Sequence, residues 1–168
     1  DTNCNNLQTH YAENFDLLIP PSTGCVTVTN NTSDAQKWIT SNTAPKSVPS
    51  SMYIYKNASA AMNDWFFTPG LSLTGGITYN VNFYYRSGGG PSVEKLEVKW
   101  GISASSTGMT GGQLWNNSNI QTTTYTLATV TVAPSATGTY YIGWHGYSAA
   151  NMSYICIDNI TVDAALLT

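Results

Sequence analysis

The strongest constraint on the fold is a two-residue alternation of side chains in the last part of the chain. Residues 140–145 divide into two alternating sets, with Tyr140, Ile142 and Trp144 on one face and Tyr141, Gly143 and His145 on the other. A period of two places successive side chains on opposite sides of a β-strand. The segment therefore predicts a half-buried strand.

A second alternating run follows, and its phase changes partway along. Ile155 and Ile157 share one face, but the next apolar residues, Ile160 and Val162, are displaced by one position. Such a displacement indicates one extra residue in the strand, because alternation otherwise continues unbroken. We therefore predict a β-bulge at Asp158-Asn159 and a specific role for the Asp158 carboxylate.

Short strand-like runs recur along the rest of the chain, at 15–19, 26–28, 52–56, 64–68 and 123–132. Two further alternating runs, 79–86 and 95–100, are joined by a glycine-rich segment. That pattern predicts a hairpin of adjacent antiparallel strands whose polar sides form one continuous outer face. Strands of this size, with no helical segment between them, indicate an all-β fold, a jelly-roll β-sandwich of two antiparallel sheets.

Composition limits the class of protein and its partners. The commonest residues are Ser, Thr and Asn, and only 9% of the residues are charged, which suits exposed strands and polar turns. The net charge is −3 and the six Lys and Arg residues form no run, so neither nucleic acid nor an anionic membrane is an expected partner. No apolar stretch approaches the roughly 20 residues of a transmembrane helix. The 168 residues fit one domain.

The three cysteines, Cys4, Cys25 and Cys156, lack the close spacing of a zinc site. Cys4 and Cys25 both lie in polar, turn-like sequence before most of the strands. A disulfide between them would close a loop of about 20 residues and contribute about 3 kcal/mol. The alternatives are three reduced thiols or a bridge to Cys156.

Five segments in a fixed order carry a resemblance to a known family: 13–16 with 19–20, 63–69 with Leu71 and Leu73, 79–86, 140–145 and 154–162. In this order they resemble the cleaved-adhesin domains of gingipain proteases and the related choice-of-anchor J modules, a group similar to MAM domains. The resemblance implies a jelly roll, export to the cell surface, bound calcium and a role in adhesion. Where the gingipain modules carry Asp-x-Asp-Gly, this chain has Ser33-Asp34-Ala35.

Calcium binds six to eight oxygen ligands, which are most easily collected where the first and last strands of a sandwich meet. Glu13, Asp16 and Asp158 are the acids expected to converge there, with Asp34 as a possible fourth ligand. The alternative interpretation is that Asp16 and Asp158 are turn or capping residues that bind nothing.

The polar face of the predicted hairpin is the candidate ligand surface. It would present Asn80, Asn82, Tyr84, Arg86, Lys95, Glu97 and Lys99, extended by Tyr141, His145, Tyr53 and Tyr55. Aromatic rings beside amide and charged groups suit a sugar or a peptide, because rings stack and polar groups orient. An ordinary solvated sheet face is the alternative.

The tryptophans fall into two sets. Trp65, Trp100 and Trp144 lie on the apolar sides of predicted strands and are expected in the core. Trp38 and Trp115 are expected in loops, where they would be freer to contact a ligand.

Catalysis has little support in the sequence. Glu94 and Glu97 are three residues apart on a strand and face opposite sides, so they cannot act together across one bond. With His10 and His145 as the two histidines, no nucleophile has a recognisable catalytic setting.

The sequence therefore predicts a secreted, non-catalytic binding module, stabilised by calcium, with a glycan or a surface protein as partner. It is expected to be a mature chain or a module excised from a longer secreted protein. The alternatives are a structural spacer of a surface protein and a secreted hydrolase domain.

Overall fold

The computed structural model describes Cys4 and residues 9–165, and this part of the chain is built from strands, with one short 3-10 helix at Ser106–Gly108. The strands are β1 (Tyr11–Glu13), β2 (Thr27–Asn30), β3 (Ile39–Ser41), β4 (Ser51–Tyr55), β5 (Asp64–Phe67), β6 (Leu71–Leu73), β7 (Tyr79–Ser87), β8 (Glu94–Gly101), β9 (Gly112–Ile120), β10 (Thr126–Val132), β11 (Gly138–Gly146) and β12 (Tyr154–Ala164).

The strands form two antiparallel sheets of six strands each, as the fold prediction required. The first sheet has the order β10-β7-β12-β4-β3, with β1 paired to β12. The second sheet has the order β2-β5-β11-β8-β9, with β6 paired to β11. The two long alternating segments of the sequence, β11 and β12, thus lie at the centre of different sheets, and the predicted β-sandwich is confirmed.

The core between the sheets is centred on aromatic rings. Trp144 of β11 stacks on Phe66 with ring centroids 5.0 Å apart, and it meets Phe83 of the opposite sheet edge to face at 5.7 Å. Trp38 adds an edge contact to Phe66 at 4.9 Å. All four rings are fully buried, so this cluster joins the two layers.

The expected positions of the tryptophans are partly wrong. Trp38 is fully buried, and its Nε1 donates to the carbonyl oxygen of Asp64 at 3.0 Å. Trp115 belongs to β9 and packs against Phe83, so it is not a free loop residue either. Trp65 is buried as expected but outside the main core, in a separate cluster with Phe67 and Met109.

The predicted hairpin is wrong. The run at 79–86 became β7 in the first sheet and the run at 95–100 became β8 in the second, so the glycine-rich segment between them crosses from one sheet to the other. Alternation fixes which face of a strand is buried, but it does not fix the neighbouring strand. The two polar sides consequently face opposite sides of the sandwich.

The predicted bulge is confirmed. The pairing of β12 with β7 changes register between Asp158 and Thr161, and Asn159 has a φ of 51°. Asp158 is fully buried. Its Oδ2 accepts the backbone N–H groups of Lys46 at 2.9 Å and Ser47 at 3.0 Å, while its Oδ1 accepts the N–H of Asn159. The bulge residue therefore fastens the 42–50 segment to the first sheet.

The cysteines behave as one of the sequence alternatives proposed. Cys4 and Cys25 form a disulfide, and Cys156 is a buried free thiol on β12. Burial raises the pKa of Cys156 to about 11, so the thiol stays protonated and unreactive at neutral pH. Among the described residues, no helix is long and apolar enough to cross a membrane.

Replacing Asp158 tests its role as an anchor. Asp158→Ala should lower the free energy of unfolding by about 2–4 kcal/mol, because three partly buried N–H groups lose their acceptor, at up to about 1–3 kcal/mol each. Asp158→Asn keeps one acceptor oxygen and should cost less. The matched control is Asp163→Ala, an acid on the same strand whose side chain is 42% exposed, which should cost within about 0.5 kcal/mol. Urea denaturation at pH 7 gives all three values, and equal losses for Asp158→Ala and Asp163→Ala would contradict the anchor.

Candidate functional site

The residues of the predicted ligand surface divide between the two outer faces of the sandwich. Asn80, Asn82, Tyr84, Arg86, Tyr53 and Tyr55 belong to the first sheet, and Lys95, Glu97, Lys99, Tyr141 and His145 belong to the second. We call the outer group of the first sheet the tyrosine face, defined by Tyr53, Tyr55, Tyr84, Arg86, Tyr125 and Tyr154. The outer group of the second sheet is the histidine face, defined by Trp65, Glu97, Lys99, Tyr141, His145 and Tyr147.

Three rings form a continuous patch on the tyrosine face. Tyr53 and Tyr55 are two residues apart on β4, so they share a face, and their rings are nearly parallel with centroids 6.4 Å apart. Tyr154 of the adjacent strand β12 lies opposite Tyr55 and has its centroid 5.3 Å from that of Tyr53. Tyr55 is 42% exposed and the other two are half-buried. The patch therefore offers accessible ring surface across two strands.

A guanidinium group is fixed beside this patch. Arg86 of β7 donates from Nη2 to the hydroxyl oxygen of Tyr154 at 3.0 Å and from Nε to the carbonyl oxygen of Ser87 at 3.1 Å. Its guanidinium carbon lies 5.9 Å from the ring centroid of Tyr125 and 5.8 Å from that of Tyr154. Two hydrogen bonds and two rings hold the group in place, so it is oriented before any ligand arrives.

Two lysines extend the polar part of the tyrosine face. Lys46 of the anchored 42–50 segment places its Nζ 4.2 Å from the ring centroid of Tyr84. Lys56 lies 5.9 Å from the ring of Tyr55 and donates to Asn151 Oδ1 at 2.8 Å. These donors lie at the margins of the rings, where they can orient a polar ligand stacked on them.

Sequence reasoning found part of this face and missed the rest. Tyr53, Tyr55, Tyr84 and Arg86 were predicted from their alternation. Tyr154 has the same outward phase on β12, so alternation could have assigned it once β12 was placed beside β4. Lys46 carries no such signal, because it reaches the face through an irregular segment held by a distant carboxylate. Asn82 donates to Thr161 Oγ1 at 3.2 Å and ties β7 to β12.

The histidine face satisfies its own polar groups. The ring of His145 stacks on Trp65 with centroids 4.3 Å apart, and Tyr147 covers it at 5.5 Å. His145 Nδ1 lies 3.3 Å from Glu97 Oε1, and Nε2 lies 2.6 Å from Asn63 Oδ1. Burial lowers the pKa of His145 even though Glu97 opposes the shift. The imidazole is therefore mainly neutral at pH 7, and because both facing atoms are acceptor oxygens, its single N–H donates to Glu97 or to Asn63 and not to both at once.

The other charges on the histidine face are paired too. Lys99 Nζ lies 3.3 Å from Glu97 Oε1, the oxygen that also faces His145. Tyr141 packs against the cluster of Trp65, Phe67 and Met109. Gly143 of β11 lies beneath this cluster, and an added Cβ would meet the Phe67 ring at 2.7 Å, so the rings lie flat over a strand that lacks a side chain there. This arrangement favours a structural role for the face.

Glu13, Asp16 and Asp158, the acids expected to hold calcium, lie near one another. Burial raises the pKa of Glu13, and it raises the pKa of Asp158 to about 6. The negative charge of Asp16 raises both pKa values further, which shows that the three acids are neighbours. Their oxygens, however, accept backbone N–H groups, from Phe15 to Glu13 at 2.8 Å and from Ser50 to Asp16 at 3.2 Å. Across residues 9–165, no three His, Cys, Asp or Glu side chains gather as metal ligands. The bonds made by Asp16 and Asp158 are those of turn or capping residues, and calcium at these acids stays a prediction.

Asp34 lies elsewhere, beside the buried Asp64. Asp34 Oδ2 accepts from Asn57 Nδ2 at 2.7 Å, and its carbonyl oxygen accepts from Asn30 Nδ2 at 2.6 Å. Asp64 is 1% exposed, and within the described residues its Oδ1 is buried with no hydrogen-bond partner. Burial raises the pKa of Asp64 to about 6, and the charge of Asp34 adds to the shift. An unpartnered carboxylate oxygen beside a second acid is a position that a proton or a cation would stabilise.

Glu94 is the remaining buried acid, and it has a structural role. Its Oε1 accepts from Ser148 Oγ at 2.7 Å and its Oε2 accepts the N–H of Ser153 at 2.7 Å. Glu97 lies on the opposite side of β8, as predicted from the spacing. The two carboxylates therefore do not form an acid pair.

Comparison with solved structures establishes the fold. A cleaved-adhesin domain of Lys-gingipain from Porphyromonas gingivalis superposes with a TM-score of 0.75 at 16% identity, over 94% of this chain and 99% of that domain. A family 61 carbohydrate-binding module in complex with β-1,4-galactotriose gives 0.62 at 13% identity, over 86% and 92%. The C-terminal family 22 carbohydrate-binding module of Clostridium thermocellum Xyn10B gives 0.59 at 15%, over 94% and 95%. The chain shares the β-sandwich fold of these domains.

By sequence, the chain matches no family model and no curated protein. At sequence identities of 13–16%, these structural similarities show that the fold is shared and do not identify binding residues.

The buried carboxylates should make the domain more stable in mild acid than at neutral pH. The pKa values of Glu13, Asp64, Glu94 and Asp158 are all raised by burial. At Asp64 and Asp158, between about pH 4 and pH 6, the folded state therefore keeps protons that the unfolded chain, with pKa values near 4, has released. The contribution of Asp64 and Asp158 to stability is complete below about pH 4 and is lost as the pH rises through about 6; Glu13 and Glu94 act in the same direction. His145 opposes this trend. Its pKa is lowered in the folded state, so its contribution to stability is lost as the pH falls below about 6.5, the ordinary pKa of histidine.

Melting temperatures measured in EDTA from pH 5 to pH 7.5 check this balance. Four groups act in one direction and one in the other, so we expect the melting temperature to fall as the pH rises. Asp64→Asn should flatten the profile, whereas the control Asp163→Asn should leave it unchanged. A wild-type melting temperature that rises steadily towards pH 7.5 would show that these acids are ionised in the folded state.

Proposed function

We propose that this protein is a non-catalytic extracellular module that binds glycans through the tyrosine face. The observation that carries the proposal is the accessible patch of Tyr53, Tyr55 and Tyr154 with the oriented Arg86 beside it. Aromatic rings stack on the apolar faces of sugars, and fixed polar groups at the margin select their hydroxyl groups. The histidine face is the weaker candidate because its polar groups are bound to one another.

Two further considerations support binding without catalysis. The structures that share this fold include carbohydrate-binding modules and adhesin domains, among them one in complex with a galactotriose. Within the described residues, Cys156 is a buried protonated thiol, Glu94 is a buried hydrogen-bonded acid, and His145 lies between two rings. None of these groups is arranged to activate a nucleophile.

The module would act outside the cell, attached to a glycan directly or as part of a longer secreted protein. The Cys4–Cys25 disulfide supports this placement, because disulfides persist in oxidising compartments. A surface-protein partner is the competing outcome of the binding experiments, and a spacer without any ligand is the other.

A glycan array followed by titration tests the tyrosine face. Tyr53→Ala and Tyr154→Ala should each weaken binding about tenfold or more, which corresponds to about 1.4 kcal/mol. The matched control is Tyr141→Ala, a half-buried tyrosine of the histidine face, which should bind like the wild type. Each variant must first keep its strand signal in circular dichroism. Loss of binding in Tyr141→Ala with retention in Tyr53→Ala would move the site to the other sheet.

We also propose that calcium stabilises the module at Asp34 and Asp64. The support is the buried, unpartnered Oδ1 of Asp64 next to the carboxylate of Asp34. Carboxylate, amide and backbone oxygens are the ligands that calcium prefers; the amides of Asn30 and Asn57 face Asp34 through Nδ2 and would have to turn to offer their oxygens to the ion. These four residues would hold the ion, which would neutralise the two acids.

Melting with calcium and with EDTA tests this site. Calcium at a hundredfold excess over its Kd should add about 2.7 kcal/mol to the stability of the wild type, and magnesium should add less because it requires a smaller octahedral shell. Asp64→Asn should abolish the calcium effect and, in EDTA at pH 7.5, should melt no lower than the wild type, since it removes an uncompensated buried charge. Asp158→Asn is the control and should keep the calcium effect. A wild type indifferent to calcium and EDTA would contradict the proposal.

A further inference from the structure

We propose that the glycan bound by the tyrosine face is a polyuronate, a polysaccharide whose sugar rings carry carboxylates. This inference rests on the proposed glycan-binding function and adds the chemical class of the ligand. The distribution of charge over the molecule, and the geometry of Arg86, both lead to it.

The tyrosine face concentrates positive charge in an acidic protein. The net charge is −3, yet three of the six cations, Lys46, Lys56 and Arg86, lie at the rings of this one face. The described residues form ion pairs elsewhere, at His10 with Asp163 and around Glu97, and none of them involves these three cations. The face therefore has cations and aromatic rings without a carboxylate of its own to pair with them.

The nearest acid on this face does not neutralise it. Asp158 lies opposite Tyr84 on the neighbouring strand, but it is fully buried and both of its oxygens accept backbone N–H groups. Burial also raises its pKa, so part of its charge is lost in mild acid. A carboxylate supplied by a ligand would find the cations available.

Arg86 is oriented for a planar anion. Its bonds to Tyr154 and Ser87 use one hydrogen of Nη2 and that of Nε. Among the described residues, the remaining hydrogen of Nη2 and both hydrogens of Nη1 have no partner. These three terminal hydrogens are donors that a ligand carboxylate can accept, and charge-assisted bonds of this kind are strong. Because the guanidinium is already held by Tyr125 and Tyr154, little freedom is lost on binding.

A row of cations matches a row of anionic sugars. Tyr84, which carries the Lys46 ammonium over its ring, lies two residues from Arg86 on β7, about 7 Å along the strand. The stacked rings of Tyr53 and Tyr55 lie two strands away on the same face. One sugar ring can thus stack while the carboxylates of the chain meet successive cations, which a neutral polysaccharide cannot do.

The experiment compares polymers that differ only in their charge. The probes are homogalacturonan and alginate, each with its esterified form, in which the same backbone carries esters in place of carboxylates. Calorimetry or affinity electrophoresis should show the free acids bound about tenfold or more tightly than their esters, and the difference should shrink as salt rises.

Variants assign that preference to the cations. Arg86→Gln and Lys46→Gln should each reduce the ratio of free-acid affinity to ester affinity by about tenfold; the ratio is the readout, because both residues lie in the binding face and also contribute to binding of the ester. Arg86→Lys keeps the positive charge but lacks the paired N–H donors of the guanidinium group, so it should keep only part of the wild-type preference for the free acid. Lys99→Gln on the histidine face is the matched control and should behave like the wild type. Circular dichroism and melting temperature show that each variant is folded.

The possible outcomes separate this inference from the proposed function. Binding to neutral glycans that requires Tyr53, with no preference for the free acids over their esters, would overturn the polyuronate and leave the glycan-binding function standing. Binding to dextran sulfate without binding to either polyuronate would also overturn it. Absence of binding to every glycan would remove the proposed function as well.

Discussion

The packing of Trp144 between the two sheets is the interaction on which the rest of the structure depends. Its ring stacks on Phe66 within its own sheet and meets Phe83 of the other sheet edge to face. In the described part of the chain, its Nε1 is buried without a hydrogen-bond partner, which costs about 1–3 kcal/mol. Removing a buried tryptophan or phenylalanine costs about 3–5 kcal/mol, so the gain from ring packing exceeds the loss. The core therefore tolerates one unpaired donor in order to join the layers.

The two sheets joined in this way have two outer faces, and these faces differ in whether their charged groups are paired. On the histidine face, Glu97 lies between Lys99 and His145, so the polar groups pair with one another. On the tyrosine face, Arg86 bonds to neutral oxygens of Tyr154 and Ser87 and keeps its charge available. Exposed pairs contribute little to stability, so the difference matters mainly for binding. A surface whose cations lack partners is the better site for an anionic ligand.

Local pattern was enough to predict the strands β7, β8, β10, β11 and β12, the bulge and the sandwich, because each depends on which side chains alternate, but β3 and β9 were expected to be irregular segments. It failed where the answer depended on distant contacts. The runs that form β7 and β8 look like a hairpin in the sequence, because alternation shows which face of a strand is buried and not which strand lies next to it. Trp38 looks like a loop residue, because the contacts that bury it come from Phe66 and the carbonyl of Asp64.

The candidate site shows the same division. Tyr53, Tyr55, Tyr84 and Arg86 could be assigned to outer faces by their phase, but which of them lie together follows from the order of strands in the sheet. Glu13, Asp16 and Asp158 lie near one another, as expected, and their oxygens accept backbone N–H groups. Each acid could bind either an ion or a backbone N–H, and only the course of the 42–50 segment decides between the two.

That segment connects the stability of the fold to the proposed function. Lys46 is held by its backbone N–H on Asp158, and the same residue places its ammonium over Tyr84. The hydroxyl of Tyr125 donates to the carbonyl of Ala44 at 2.5 Å, so a ring that flanks Arg86 also bonds to this segment. The Asp158 carboxylate thus fixes the 42–50 backbone. This backbone carries Lys46, and its Ala44 carbonyl accepts from Tyr125, whose ring lies beside Arg86. A binding surface that extends beyond the strands into an irregular segment needs such an anchor, because ordering that segment only on binding would reduce the affinity.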